Sequence, residues 1–378
     1  MRAGSNPAGG TFSLSDSFAV RPRIVGHNRS IPYGSGVNRS RNRTRAILSL
    51  GLVSLLCTGL AACGSSSDTG APSTTGSPTA TPIPTPAPLP VSVLSGRPGT
   101  NGPVLALKID NTARALPHIG LTDADIVYVQ QVEGGLTRLA AIYSSNLPSR
   151  VAPIRSARET DAELLPMYGE IAFGFSGSVA GVHRLVTRAG LVDVSADRGP
   201  RGYTRLGNRP APYNEAAAPE TLIDRADGSV PARDVGFRFG TAPTGGTRAV
   251  SVTAIYPAAR ISMRYNAATN AWAYWLGSKQ DRSSQGVVAA STVIVQSVRL
   301  TTTGRDDVAG NPVPLSRTVG SGKATVLRDG RSWPVTWSRK SVGSPTRWTY
   351  QGRDFPMKAG QVWVLLLDSR KTATIAAK

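Results

Sequence analysis

The chain has 378 residues, with 43 Lys and Arg against 23 Asp and Glu, a formal net charge of +20, and two cysteines. So few cysteines exclude a disulfide-stapled scaffold and a Cys-based zinc site, and stability must come from a hydrophobic core. The basic excess suits polyanionic partners such as anionic headgroups or envelope glycopolymers, although only 7 of the 43 cations are Lys, a bias that a GC-rich genome would also give.

Residues 1–36 are polar and lack an apolar period. Arg39, Arg41, Arg43 and Arg45 then flank an apolar run, Ala46–Leu60, of the length of a secretory h-region rather than a membrane span. The run closes on Leu60-Ala61-Ala62-Cys63, small residues before a cysteine, which resembles a bacterial lipobox. The expectation is a lipoprotein signal over 37–62, with translation starting at Val37 and residues 1–36 an extension that is not made. The mature chain would begin at a lipidated Cys63 and be held on the outer face of the cytoplasmic membrane. Cys57 falls inside the signal, and residues 63–378 carry a net charge of +13. Outside the membrane nucleic acid is not an expected partner. Residues 63–92 are rich in Ser, Thr and Pro and read as a tether, since they cannot bury enough apolar surface to offset chain entropy.

The remainder predicts an α+β or α/β domain over 93–242, followed by a mainly β domain over 248–370. Strands are expected at Val104–Ile109, Ile126–Val132, Leu139–Tyr143 and Ile171–Phe175, and helices at Arg158–Tyr168, Val179–Arg188 and Asn214–Arg225. Beyond Thr247 the strand-like runs are Val250–Ile255, Ile261–Tyr265, Thr292–Leu300, Ala324–Leu327, Ser332–Trp337, Arg347–Tyr350 and Val362–Leu367. Turn signals such as Asp329-Gly330 and Gln351-Gly352 separate several of them.

Polar residues gather at three predicted element ends. Asp110 and Asn111 close the first strand. Glu133-Gly134-Gly135-Leu136-Thr137-Arg138 joins two others, its glycines permitting a tight connection. Arg155, Ser156 and Arg158 precede a helix, where Ser156 is expected near the N-cap and the arginines would suit a phosphate or carboxylate. Ser176 and Ser178 lie on a strand-to-helix turn without the G-x-S-x-G pattern, which favours N-capping over nucleophilic chemistry. His118 and His183 are isolated and read as structural or surface residues; no metal site or cofactor is expected. All six Trp lie in the second half, where core packing is the default and glycan stacking the alternative. Trp272 and Trp275 have opposite parity, so one strand would send them to opposite faces.

The Ile109-Asp110-Asn111, Glu133-to-Arg138 and Pro153-Ile154-Arg155-Ser156-Ala157-Arg158 pieces, in this order, resemble the YerB-like family of bacterial lipoproteins, a family of unknown function with N- and C-terminal parts. The likeness runs over about 94–368 and includes Phe175-Ser176-Gly177-Ser178, Arg209 to Asn214, Val319-Gly320-Ser321-Gly322-Lys323-Ala324, Thr336-Trp337 and Gly360 to Trp363. Tyr213 stands where the family usually carries His, so proton chemistry by that His is not available to this chain. The resemblance implies an envelope location and a two-part layout, and no reaction. The leading expectation is a binding protein for an anionic cell-wall glycopolymer or its phosphorylated precursor. Arg138, Arg155 and Arg158 would hold it, with Asp110, Asn111, Glu133, Ser156, Ser176, Ser178 and Asn214 around them. The alternatives are a structural salt-bridge cluster, a hydrolase or transferase using Glu133 or Asp110 as base, and a protein-docking scaffold.

Overall fold

Residue alternation in the first strand already assigns the layers. Leu105, Leu107 and Ile109 fall on one face of β1 (Leu105–Asp110), while Ala106, Lys108 and Asp110 fall on the other. In a computed structural model, which describes residues 90–178, 181–227, 229–307 and 309–378, both faces of β1 are covered. The described residues fall within one compact unit, Pro82–Lys378. The signal, Cys63 and all but the last residues of the tether lie outside them.

β1 pairs antiparallel with β3 (Thr137–Tyr143) and parallel with β4 (Ala172–Gly174), which in turn pairs with β5 (Val192–Asp193). β2 (Ile126–Gln131) lies on the far side of β3. Two short helices follow β3 in sequence: α1 (Glu159–Leu164), continued by a 3-10 turn through Tyr168, and α2 (Val182–Arg188). The segment expected to be one helix from Asn214 is instead a strand, Glu215–Ala217, followed by α3 (Pro219–Asp224). Pro219 explains the correction, because it fixes the first helical turn and biases the residue before it away from helix.

The second half supplies β6 (Ser251–Tyr256), β7 (Ala259–Asn266), β8 (Ala271–Leu276), β9 (Thr292–Asp306), β10 (Pro312–Arg317), β11 (Gly320–Arg328), β12 (Arg331–Arg339), β13 (Arg347–Tyr350), β14 (Val362–Asp368) and β15 (Thr374–Ala376). The architecture is therefore α+β followed by mainly β. One 13-stranded sheet runs through both halves, and ten of its strands follow the order β13-β12-β11-β9-β14-β2-β3-β1-β4-β5. β14 is its centre. It runs parallel to β2 on one side and to β9 on the other, and all seven of its residues are buried. An uninterrupted apolar run is what burial on both faces demands.

A smaller sheet, β8-β7-β6-β15, covers one face. Its Val252, Met263, Trp272 and Tyr274 meet Val127, Leu139, Val293 and Trp363 of the large sheet. On the other face α1 and α2 pack with Tyr128, Tyr168, Phe173, Trp333, Trp337 and Trp348. Five of the six Trp are buried as core residues. Trp275 alone points outward, and Arg264 lies 4.0 Å over its ring, the outcome the opposite parity of Trp272 and Trp275 predicts.

Candidate functional site

The register of three strands brings the polar pieces together. Asp110 on β1 and Gln130 on β2 both pair with Arg138 on β3, forming one polar row across the sheet on the face that carries α1. One row further in, Lys108 pairs with Ala140. Ordinary strand alternation thus places Lys108, Asp110, Gln130 and Arg138 side by side.

α1 completes the cluster. Arg158 occupies its N-cap and its backbone N–H donates to Asp161 Oδ2 at 2.8 Å. Asp161 Oδ1 accepts from Lys108 Nζ at 2.7 Å, with both side chains fully buried, and Lys108 Nζ also donates to Gln130 Oε1. Arg158 Nε donates to Glu133 Oε1 at 2.5 Å, and Arg155 Nε to Asp110 Oδ2 at 2.9 Å. The other Asp110 oxygen accepts from the backbone N–H and hydroxyl of Thr112. Arg138 has no carboxylate within ion-pairing distance among the described residues; its Nη1 donates to the Ser156 carbonyl at 2.9 Å.

Electrostatically the cluster is crowded with positive charge. Burial, opposed by Asp161, pushes Lys108 down to about 8. Burial and the neighbouring Arg158 and Arg155 charges hold Arg138 below the ordinary arginine value, against the pull of Glu133 and Asp110.

The serines do not cap helices. Ser156 lies two residues before the α1 N-cap, and α2 begins after Gly181, whose φ of 85° needs no Cβ there. Ser176 N donates to the Arg155 carbonyl at 3.0 Å, and Ser178 bridges Ala157, so the two segments run alongside each other like short strands. Asn111 turns away from the arginines: its Nδ2 donates to Thr137 Oγ1 and its Oδ1 accepts from Tyr274 OH at 2.6 Å, pinning β8 to the large sheet. Asn214 accepts from Arg205, next to the strand whose Glu215 carbonyl receives the Ile154 N–H. The Gly134-Gly135 connection has φ values of 62° and 72°, and a Cβ on Gly135 would sit 2.4 Å from Pro257.

Sequence reasoning missed Lys108 and Asp161, which are as central to the cluster as the arginines. It also read His118 as isolated. The ring is fully buried, with Nδ1 2.6 Å from Asp281 Oδ2 and Nε2 2.7 Å from the Asp110 carbonyl, so it braces the end of β1. His183 lies between Asp193 and Asp197. Among the described residues no three His, Cys, Asp or Glu side chains are placed to share a metal ion. No helix of the described residues is long and apolar enough to cross a membrane.

Two family descriptions match this chain: "Protein of unknown function (DUF3048) N-terminal domain" over residues 94–232, and the corresponding C-terminal domain over 251–364. A 55-residue stretch is 46% identical to a Bacillus subtilis (strain 168) protein named "Putative lipoprotein YerB"; it covers 15% of this chain and only 17% of that relative. The crystal structure of YerB protein from Bacillus subtilis superposes with a TM-score of 0.64 at 19% identity, covering 76% of this chain and 99% of that one. At that identity the likeness is one of fold.

Proposed function

The chain belongs to the DUF3048 family, and from that premise we propose that it is an extracytoplasmic lipoprotein, anchored through Cys63, that works by binding an anionic envelope ligand at the arginine cluster. The observation that carries the reading is a charge imbalance. Lys108, Arg138, Arg155 and Arg158 face only Asp110, Glu133 and Asp161, and Arg138 is the cation left over. Arg155 is 27% exposed, so its guanidinium is the part of the cluster that an incoming phosphate or carboxylate reaches first. Such an anion would supply the missing negative charge and form charge-assisted hydrogen bonds in a partly desolvated setting.

A hydrolase or transferase would need Glu133 or Asp110 free to take a proton. Each is instead held by an arginine, and Asp110 by Thr112 as well. Binding therefore fits the geometry better than acid–base chemistry.

Titrating the full chain with inorganic phosphate and with an anionic wall polymer, by calorimetry, tests the reading. Arg155→Gln is expected to weaken binding by about tenfold, the loss of one charge-assisted contact; unchanged affinity would remove the cluster from consideration as a ligand site. For the anchor, Cys63→Ser is expected to release the protein from membranes into the medium, and retention in the membrane fraction would contradict lipidation at that residue.

A further inference from the structure

A large concavity lies elsewhere, at a defect in the large sheet. β9 pairs with β11 as far as Gln296 opposite Ala324, and with β10 from Arg299 opposite Arg317. Two residues of β9, Ser297 and Val298, therefore face the six-residue stretch Thr318–Lys323. The partner strand carries four extra residues and cannot lie flat. Its Gly320–Lys323 portion keeps pairing with β12 on one side only, leaving main-chain groups on the β9 side without a ladder partner.

The split is held open by design of its edges. Trp337 Nε1 donates to the orphaned Ser297 carbonyl at 2.9 Å. A Cβ on Gly322 would stand 2.7 Å from that indole nitrogen and 3.1 Å from the Ser297 oxygen, so the indole fits only beside glycine. Glu163, in the last turn of α1, accepts the Thr318 and Val319 N–H groups and a hydrogen bond from Arg317 Nη1. Buried Arg339 donates to Thr318 Oγ1 and to the Glu163 and Leu164 carbonyls.

The resulting cavity has a volume of about 1030 Å³ and is lined by Arg299, Lys323, Ser297, Ser321, Ser341 and Ser369 among others. A second cavity of about 800 Å³ meets the split from the face that carries the small sheet, sharing Ser297, Lys323 and Ser369 and reaching Lys371 and Ile375. Glu163 is the one carboxylate lining the larger cavity, and it is committed to Arg317 and the two N–H groups. Arg299 and Lys323 are exposed and have no ion pair among the described residues.

We propose that this split is a binding site for a linear anionic glycan, in which Arg299 and Lys323 take its phosphate or carboxylate groups while the serine hydroxyls and unpaired main chain take its sugar or polyol hydroxyls. Two cavities that share three lining residues offer more than one anion-sized pocket, which fits a chain rather than a single small anion. Hydroxyl-bearing walls suit a hydroxyl-rich ligand, and no exposed aromatic face is offered to a nucleobase, because Trp337 is buried with its N–H engaged. None of these residues belongs to the arginine cluster, so this site stands independently of that reading.

Lysine footprinting of the full chain tests it, with poly(glycerol phosphate) and polygalacturonate as probes, dextran as the neutral control, and phosphatidylglycerol vesicles as the competing surface. The expected result is protection of Lys323 and Lys371 from acetylation by at least one polyanion, while exposed Lys279 and Lys340 stay reactive and dextran protects nothing. Which polyanion protects tells phosphate from carboxylate. Arg299→Gln is expected to reduce the affinity read from protection by about tenfold, and Arg155→Gln to leave it unchanged. Full reactivity of Lys323 at saturating concentrations of both polymers would overturn the proposal, as would protection by vesicles alone. If Arg155→Gln weakens polymer binding while Lys323 remains reactive throughout, the arginine cluster survives and the split fails.

Discussion

Cations are abundant in both halves, but the two regions treat them in opposite ways. In the first half Lys108, Arg155 and Arg158 are each matched to a carboxylate at or beside a continuous ladder, and α1 closes the cluster. In the second half the ladder breaks between Gln296 and Arg299, and Arg299 and Lys323 stand unmatched at the break. Pairing follows backbone continuity. Where strands stay in register the sheet brings charges together and matches all but Arg138; where register slips, it leaves hydroxyls, main-chain groups and cations facing solvent. The first arrangement stabilises the fold and leaves room for one further negative charge, whereas the second is open along its length.

Four measurements would break or sharpen this contrast. The largest expected effect is at Lys108, since Lys108→Met strands a buried Asp161 and should cost about 3–5 kcal/mol of unfolding free energy in urea titration. A loss below 1 kcal/mol, the range of exposed pairs, would mean that the buried Lys108–Asp161 pair adds little to the fold. Next, Gly322→Ala drives a methyl against the Trp337 indole and should cost about 1–3 kcal/mol, the usual range for overpacking; an unchanged melting temperature would show that the split adjusts freely.

The third effect is with pH. Lys108 has its pKa lowered from 10.5 to about 8 by burial, so between these values the unfolded chain binds more protons than the native one. Stability should therefore rise with pH through that window. Above 10 the order reverses for buried Tyr128, Tyr143, Tyr168, Tyr256 and Tyr274. Burial raises each of them, so the unfolded chain ionises first and stability falls. Denaturant midpoints measured from pH 7 to 11 should pass through a maximum, and Lys108→Met should flatten the start of the rising limb, near pH 8. The smallest effect is at the split: Arg299→Gln with Lys323→Gln should alter stability by no more than about 0.5 kcal/mol, as for exposed positions. A larger loss in thermal unfolding would place these cations among the fold's supports.

Much of the frame was legible because its signals are local. The runs that became β1, β2 and β14 are short, apolar and bounded by polar residues, and Asp110, Glu133, Arg155 and Arg158 announce themselves at strand ends and a helix start. Lys108 was not legible as a site residue. A single Lys within Leu105–Asp110 gives no hint of Asp161, 53 residues later, because only the seating of α1 on the sheet makes them partners. β10 went unseen for a different reason. Its Pro312 and Pro314 weaken a strand reading, and it survives as a strand because it pairs with β9 alone. The split was hidden because Gly320 to Lys323 looks like a turn between strands. Its meaning depends on a count of residues on two strands paired across space.

The position of β14 also sets the order in which the molecule can assemble. The strand at the middle of the large sheet follows both of its neighbours in sequence, and until it is made β2 and β9 each keep a bare edge. The nascent first half is thus an unfinished sheet with one side exposed, the situation in which strands recruit the wrong neighbour. Completion depends on contacts between residues more than two hundred positions apart, which makes for slow folding. A chain cut short before Val362 would lack the piece that joins its two halves, so quality control could recognise incomplete copies by that open seam.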